Sequence, residues 1–129
     1  MSAAVTPLSR VLFLGLDTSL CAELGRLLAG HEVLILRKVP GQSREIERYL
    51  ERKKPDMLFC PSEESVRSRV LRAARTAGVP AIVVSRLPHA HEWLDAMDGG
   101  ASDYVAPPFE ERQLEWLLAN NRRALTIGA

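Results

Sequence analysis

Cysteine, histidine and aromatic residues are all scarce in this chain. Its 129 residues include two cysteines, three histidines, two tryptophans, two tyrosines and three phenylalanines. Cys21 and Cys60 have neither Cys-x-x-Cys spacing nor a catalytic neighbour, which argues against a disulfide framework and points to a reduced setting. Cys60 ends an apolar run and reads as a small buried hydrophobe, with Cys21 on a helix beside its core stripe. Charge of one sign is also lacking: 17 Lys and Arg against 16 Asp and Glu give a net charge of +1. That balance supplies no electrostatic drive toward nucleic acid or an anionic membrane, so neither is expected as a partner. No apolar run approaches the roughly 20 residues that a membrane helix needs. A charged and apolar leader ending in small residues is absent, and the expected location is the cytoplasm. Repeats and low-complexity tracts are absent as well.

Short apolar runs alternate five times with amphipathic helical patterns. The runs are Arg10 to Leu14, Glu32 to Leu36, Asp56 to Cys60, Ala81 to Val84 and Asp103 to Ala106. Between them, apolar residues recur at helical spacing: Leu20, Leu24, Leu27 and Leu28; Ile46, Tyr49 and Leu50; Val66, Val70, Ala73, Ala74 and Ala77; Trp93, Leu94 and Met97; and Leu114, Leu117, Leu118 and Leu125, with the polar Asn121 on the same stripe. Thr18 or Ser19 is the expected cap of the first helix and Ser43 of the second. Alternation of this kind predicts an α/β fold with a doubly wound, five-stranded parallel sheet in flavodoxin-like order 2-1-3-4-5, a (βα)5 three-layer sandwich. The length suits a single domain over residues 10–126, with an N-terminal arm of residues 1–9 and a tail of residues 127–129.

A ligand site in such a sheet lies at the carboxyl ends of the strands, after Leu14, Phe59, Val84 and Ala106. The stretch Gly99-Gly100-Ala101-Ser102-Asp103-Tyr104-Val105-Ala106-Pro107-Pro108-Phe109 resembles the fifth-strand signature of response-regulator receiver domains. The resemblance covers roughly residues 9–125. It implies a chemotaxis-regulator-like fold and a role in two-component signalling. In typical receivers two acids after the first strand hold Mg²⁺, an aspartate ending the third strand accepts phosphate, and a Ser or Thr and a Lys contact the phosphoryl group. Here the acidic pair corresponds to Gly15 and Leu16, the phosphoacceptor to Pro61 and the lysine to Pro107, while Ser85 keeps its hydroxyl and Tyr104 matches the switch aromatic. Glycine, leucine and proline offer no carboxylate for a hard cation, so the implied member is a pseudo-receiver without metal, cofactor or phosphoryl chemistry.

Neighbouring residues have plainer readings. Asp17 lies one position late and suits the first turn of a helix, and Glu63 and Glu64 suit another helix start. Ser85 is expected to bond local backbone. Tyr104 is expected to pack on the fourth helix, and Asp103 to be a solvated edge acid or an ion-pair partner. His89 and His91 lack a third ligand at convincing spacing and read as loop residues. The Gly15–Ser19 loop is too poor in glycine for a dinucleotide fingerprint, although a small anion or nucleotide over it is the alternative function. Trp93, Met97, Tyr104 and Trp116 are the expected interaction surface for a protein partner or a homodimer, formed by the fourth helix, fifth strand and fifth helix. By resemblance, receivers use that surface too. Arg67, Arg69, Arg72 and Arg75 read as a solvated outer face of the third helix.

Overall fold

Five strands and five helices alternate along residues 9–121, the part of the chain that this computed structural model describes. They are β1 (Ser9–Leu14), α1 (Thr18–Leu28), β2 (Val33–Lys38), α2 (Ser43–Lys53), β3 (Met57–Pro61), α3 (Glu64–Ala77), β4 (Ala81–Val84), α4 (Ala90–Asp98), β5 (Asp103–Val105) and α5 (Glu111–Asn120). The strands form one parallel sheet in the order β2-β1-β3-β4-β5, as the alternating pattern predicts.

The two-residue period of the strands sorts the core into two layers. Leu12, Leu14, Leu58, Cys60 and Val83 face α2, α3 and α4, where Ile46, Leu50, Val70 and Ala96 meet them. Val11, Phe13, Phe59, Ile82 and Val84 face α1 and α5, against Leu24, Leu28, Leu114 and Leu117. Phe13 and Phe59 meet edge to face at 5.9 Å. Each fully buried leucine or phenylalanine contributes about 1.5–3 kcal/mol of transfer free energy, which makes these two layers the main source of stability. β1 from Val11 on, β3 and β4 are covered on both faces and are continuously apolar there, whereas Leu34 on the edge strand β2 is exposed.

Several local expectations are corrected. Ser9 is buried and already part of β1, so the arm does not reach it. Strand β2 starts one residue later than the apolar run and ends two later, through Arg37 and Lys38, because its pairing with β1 continues to Leu14↔Lys38. Helix α1 is capped by neither Thr18 nor Ser19. Asp17 takes the extended cap conformation and its carboxylate accepts from the Leu20 amide at 2.8 Å, where its charge also favours the helix N-terminus. Gln42, not Ser43, precedes α2, with Glu45 reaching back to the Gln42 amide at 3.4 Å. On α3, Leu71 is buried and Val66 and Ala77 are half-buried. Cys21 lies within the core rather than beside it.

The arginine-rich face of α3 is the largest correction. Arg67 is buried and donates to the Ser62 carbonyl at 2.7 Å. Arg69 donates to the Gly41 carbonyl, and Arg75 to the Gly99 carbonyl at 2.9 Å. Long side chains snorkelling from a helix can satisfy carbonyls of adjacent loops, and an apolarity pattern does not reveal it. Among the described residues only Arg72 of the four leaves its guanidinium without a hydrogen-bond acceptor. Leu125, residues 1–8 and the tail 127–129 lie outside the described residues.

Candidate functional site

The carboxyl ends of β1, β3 and β4 border a cavity of about 470 Å³ whose lining includes Asp17, Pro61, Ser62, Ser85, Arg86 and Glu92. Gly15 has φ of 82°, in the left-handed region that favours glycine, and its amide donates to the Lys38 carbonyl at 3.0 Å. A Cβ there would come within 3.1 Å of the Pro40 side chain. The turn and the proline together disfavour an acidic side chain at this position. Leu16 packs against the α1 and α5 layer. Pro61 is the last residue of β3, paired in register with Val84. Pro107 follows β5 at a cis bond to Pro108. Gly15, Leu16, Pro61 and Pro107 present no side-chain oxygen or ammonium.

The acid nearest this end of β1 is Asp17, and it is occupied. Besides capping α1, its carboxylate accepts from Arg86, with Nη2 at 2.9 and 3.1 Å and Nε at 3.3 Å. The Arg86 guanidinium, then the Leu20 amide, hold the Asp17 carboxyl below its ordinary value. Because β3 lies between β1 and β4, this ion pair crosses the line of β3 just beyond Pro61. Arg86 went unnoticed in the sequence, since nothing in its own neighbourhood signals a partner 69 residues away.

A second acid approaches from α4. Glu92 accepts a hydrogen bond from the Tyr104 hydroxyl. Burial pushes the Glu92 carboxyl up, but the bond from Tyr104, the Ser85 hydroxyl, the neighbouring His89 and the Ser62 hydroxyl together outweigh it and leave it below its usual value. Tyr104 is pushed above its usual value, first by burial and then by the Glu92 carboxylate. Tyr104 therefore packs on the fourth helix as expected, while Ser85 is buried with its amide donating to the Val105 carbonyl at 2.9 Å. The expected local backbone bond from the Ser85 hydroxyl is not made among the described residues, and its environment is Glu92 and Tyr104. Glu92 was missed in the sequence because a single acid in a helical turn reads as solvated.

Of the remaining candidates, Glu63 and His89 also line the 470 Å³ cavity, and the others do not. Glu63 and Glu64 are exposed at the start of α3, and Glu63 accepts from the Ser65 hydroxyl at 2.8 Å. Asp103 accepts from the Tyr104 amide at 2.8 Å and forms no ion pair among the described residues. His89 and His91 are exposed and belong to no potential three-ligand group among the described residues. Trp93 and Trp116 are 46% and 56% exposed, while Met97 and Tyr104 pack partly against the α2–α4 layer. A second cavity, of about 420 Å³, lies beside Gly15, Leu16, Thr18 and Cys21 with Arg37 and Lys38 at its rim.

No family profile and no curated protein sequence matches this chain. Its architecture, however, recurs among solved structures. The receiver domain of Klebsiella pneumoniae RstA, activated with beryllofluoride, superposes with a TM-score of 0.72 at 17% identity, over 90% of this chain and 100% of that one. The receiver domain of a Pseudomonas aeruginosa sensor histidine kinase, with magnesium in its active-site cleft, gives 0.70 at 16% identity over 89% and 98%. The chain has the receiver fold. A pilus assembly-related protein of Burkholderia pseudomallei shares it too, with a TM-score of 0.74 at 20% identity over 96% of this chain and 100% of that one. Within the receiver fold, the cavity beneath Asp17 and Arg86 occupies the usual ligand end of the sheet. Among the described residues no helix is long and apolar enough to cross a membrane.

Proposed function

We propose that this protein is a receiver-type signalling domain that acts without phosphorylation, as a protein-interaction or regulatory module in the cytoplasm. One observation carries the reading: where a receiver needs a cluster of free carboxylates, Pro61 ends β3 and Asp17, the acid that follows β1, is committed to Arg86 and to the cap of α1. A hard divalent cation needs several oxygen ligands, and an acyl phosphate needs an acceptor carboxylate. Glu92 supplies a fixed negative charge beside Ser85 and Tyr104, so the switch residues are engaged by an internal acid.

The test is incubation with acetyl phosphate, or with beryllofluoride and Mg²⁺, followed by intact mass and amide spectra. Both should remain unchanged. A covalent aspartyl adduct, or Mg²⁺-dependent shifts around Ser85, overturns the reading. The 420 Å³ cavity beside the Gly15–Ser19 loop favours a second reading, a small anionic ligand held by Arg37, Lys38 and Thr18. Saturable amide shifts confined to that loop on titration with inorganic phosphate or a nucleotide would favour it over the first.

A further inference from the structure

We propose that His31, Glu111 and Glu115 form a binding site for one divalent transition-metal ion of the zinc class. His31 sits in the turn between α1 and β2, its backbone fixed by bonds from His31 N to the Leu28 carbonyl at 3.0 Å and from Val33 N to the His31 carbonyl at 2.8 Å. Glu111 and Glu115 stand four residues apart on α5, a spacing that puts both carboxylates on one helix face. His31 Nε2 lies 3.4 Å from Glu111 Oε2 and 4.0 Å from Glu115 Oε2, and one ligand atom from each of the three residues lies within 4.8 Å of the others.

The buried nitrogen separates this group from an ordinary pair of exposed acids. His31 Nε2 is shut off from solvent and has no hydrogen-bond partner among the described residues, although two carboxylates face it. A charge-assisted N–H···O bond would draw the atoms to about 2.7–2.9 Å. Ligand bonds of about 2.0–2.1 Å at tetrahedral angles instead set neighbouring ligand atoms about 3.3–3.4 Å apart. The Nε2 to Glu111 distance matches that tetrahedral edge, and the exposed Glu115 oxygen lies 4.0 Å from Nε2. A cation between the two carboxylates also removes their mutual repulsion. One imidazole with two carboxylates suits zinc and its neighbours rather than Mg²⁺ or Ca²⁺, which take oxygen ligands throughout. Three protein ligands leave a fourth position for water. The ion would staple the α1–β2 turn to α5, apart from the crevice at Asp17 and Arg86.

The experiment is calorimetric titration of the chelator-treated full chain with Zn²⁺, together with visible absorption on adding Co²⁺. One equivalent should bind, Co²⁺ should give the intense bands of a tetrahedral site, and saturation should raise the melting temperature by several degrees. Glu111→Gln and Glu115→Gln, both at exposed positions, should each weaken binding about tenfold or more. His31→Asn should abolish it, with folding checked by amide spectra. A double change of His89→Ala and His91→Ala should leave it intact. Absence of saturable binding, binding indifferent to the first three changes, or binding lost with His89 and His91 overturns the proposal.

Discussion

Asp17 and Arg86 are joined across the end of β3, with Arg86 Nη2 at 2.9 and 3.1 Å from the two carboxylate oxygens of Asp17. Both side chains are about half exposed, so the pair itself stabilises little. Its consequence is positional. An acid lining the crevice is neutralised by a guanidinium and held by an amide of α1.

Asp17→Ala should destabilise the fold by about 0.5–2 kcal/mol, because α1 loses its cap as well as the ion pair. Arg86→Ala should lower the melting temperature less, and raising the salt concentration should erase that difference first. The Asp17 pKa is depressed, so its contribution is present above the ordinary aspartate range near 4 and is lost as pH falls through the lower folded value. Thermal melts along an acid series check this: Asp17→Asn should lack that component of the acid loss.

Tyr104 and Glu92 should titrate as partners. Ultraviolet titration, with Tyr104→Phe used to subtract Tyr49, should place the Tyr104 phenol above the ordinary value near 10. Glu92→Gln should lower that midpoint only in part, since burial is the larger cause and remains. A raised tyrosine pKa stabilises the fold at pH below the ordinary phenol value, and that contribution is lost as pH rises through the folded value. Glu92 has the opposite sign: its depressed pKa contributes stability above the ordinary glutamate range, lost as pH falls through the lower folded value. An unaltered phenol midpoint in Glu92→Gln would remove the proposed engagement of Tyr104 by an internal acid.

Burial pushes the Cys60 thiol up to about 12 and also raises Cys21. Neither should be labelled quickly by a thiol reagent near neutral pH, where the thiolate is scarce. Cys21, at the rim of the second cavity, should react before Cys60, and Cys60 only at the rate of global unfolding. Mass spectrometry of single-cysteine variants reads the two rates. Faster labelling of Cys60 would contradict its place in the core.

Any self-association or partner capture should depend on the exposed indoles. Trp93→Ala and Trp116→Ala should weaken it by at least tenfold if either ring anchors a contact, whereas Arg72→Ala should have little effect. Sedimentation and partner capture after a folding check give the comparison. Loss with Arg72→Ala while both tryptophan variants keep binding would move the interface to the face of α3. Arg67 and Arg75 are unsuited to that comparison, because their guanidinium groups hold loop carbonyls.

The five-strand order and the two apolar layers were legible in the sequence because continuous apolar runs such as Val11 to Leu14 alternate with helical repeats such as Leu20, Leu24 and Leu28. Residue type alone fixed the chemistry that Gly15, Leu16, Pro61 and Pro107 cannot perform. Tertiary structure decided the partnerships of Asp17 with Arg86, Glu92 with Tyr104 and Arg67 with Ser62, and the approach of His31 to Glu111. Charged side chains are long and carry no periodicity that names a partner. Two of these pairs join distant parts of the chain, Glu92 and Tyr104 lie 12 residues apart on consecutive elements, and Arg67 with Ser62 depends on an arginine turning back along its own helix. Hydrophobic pattern determines which face of an element is buried, whereas a charge finds its partner only after the sheet has set which strand ends and helix faces lie side by side.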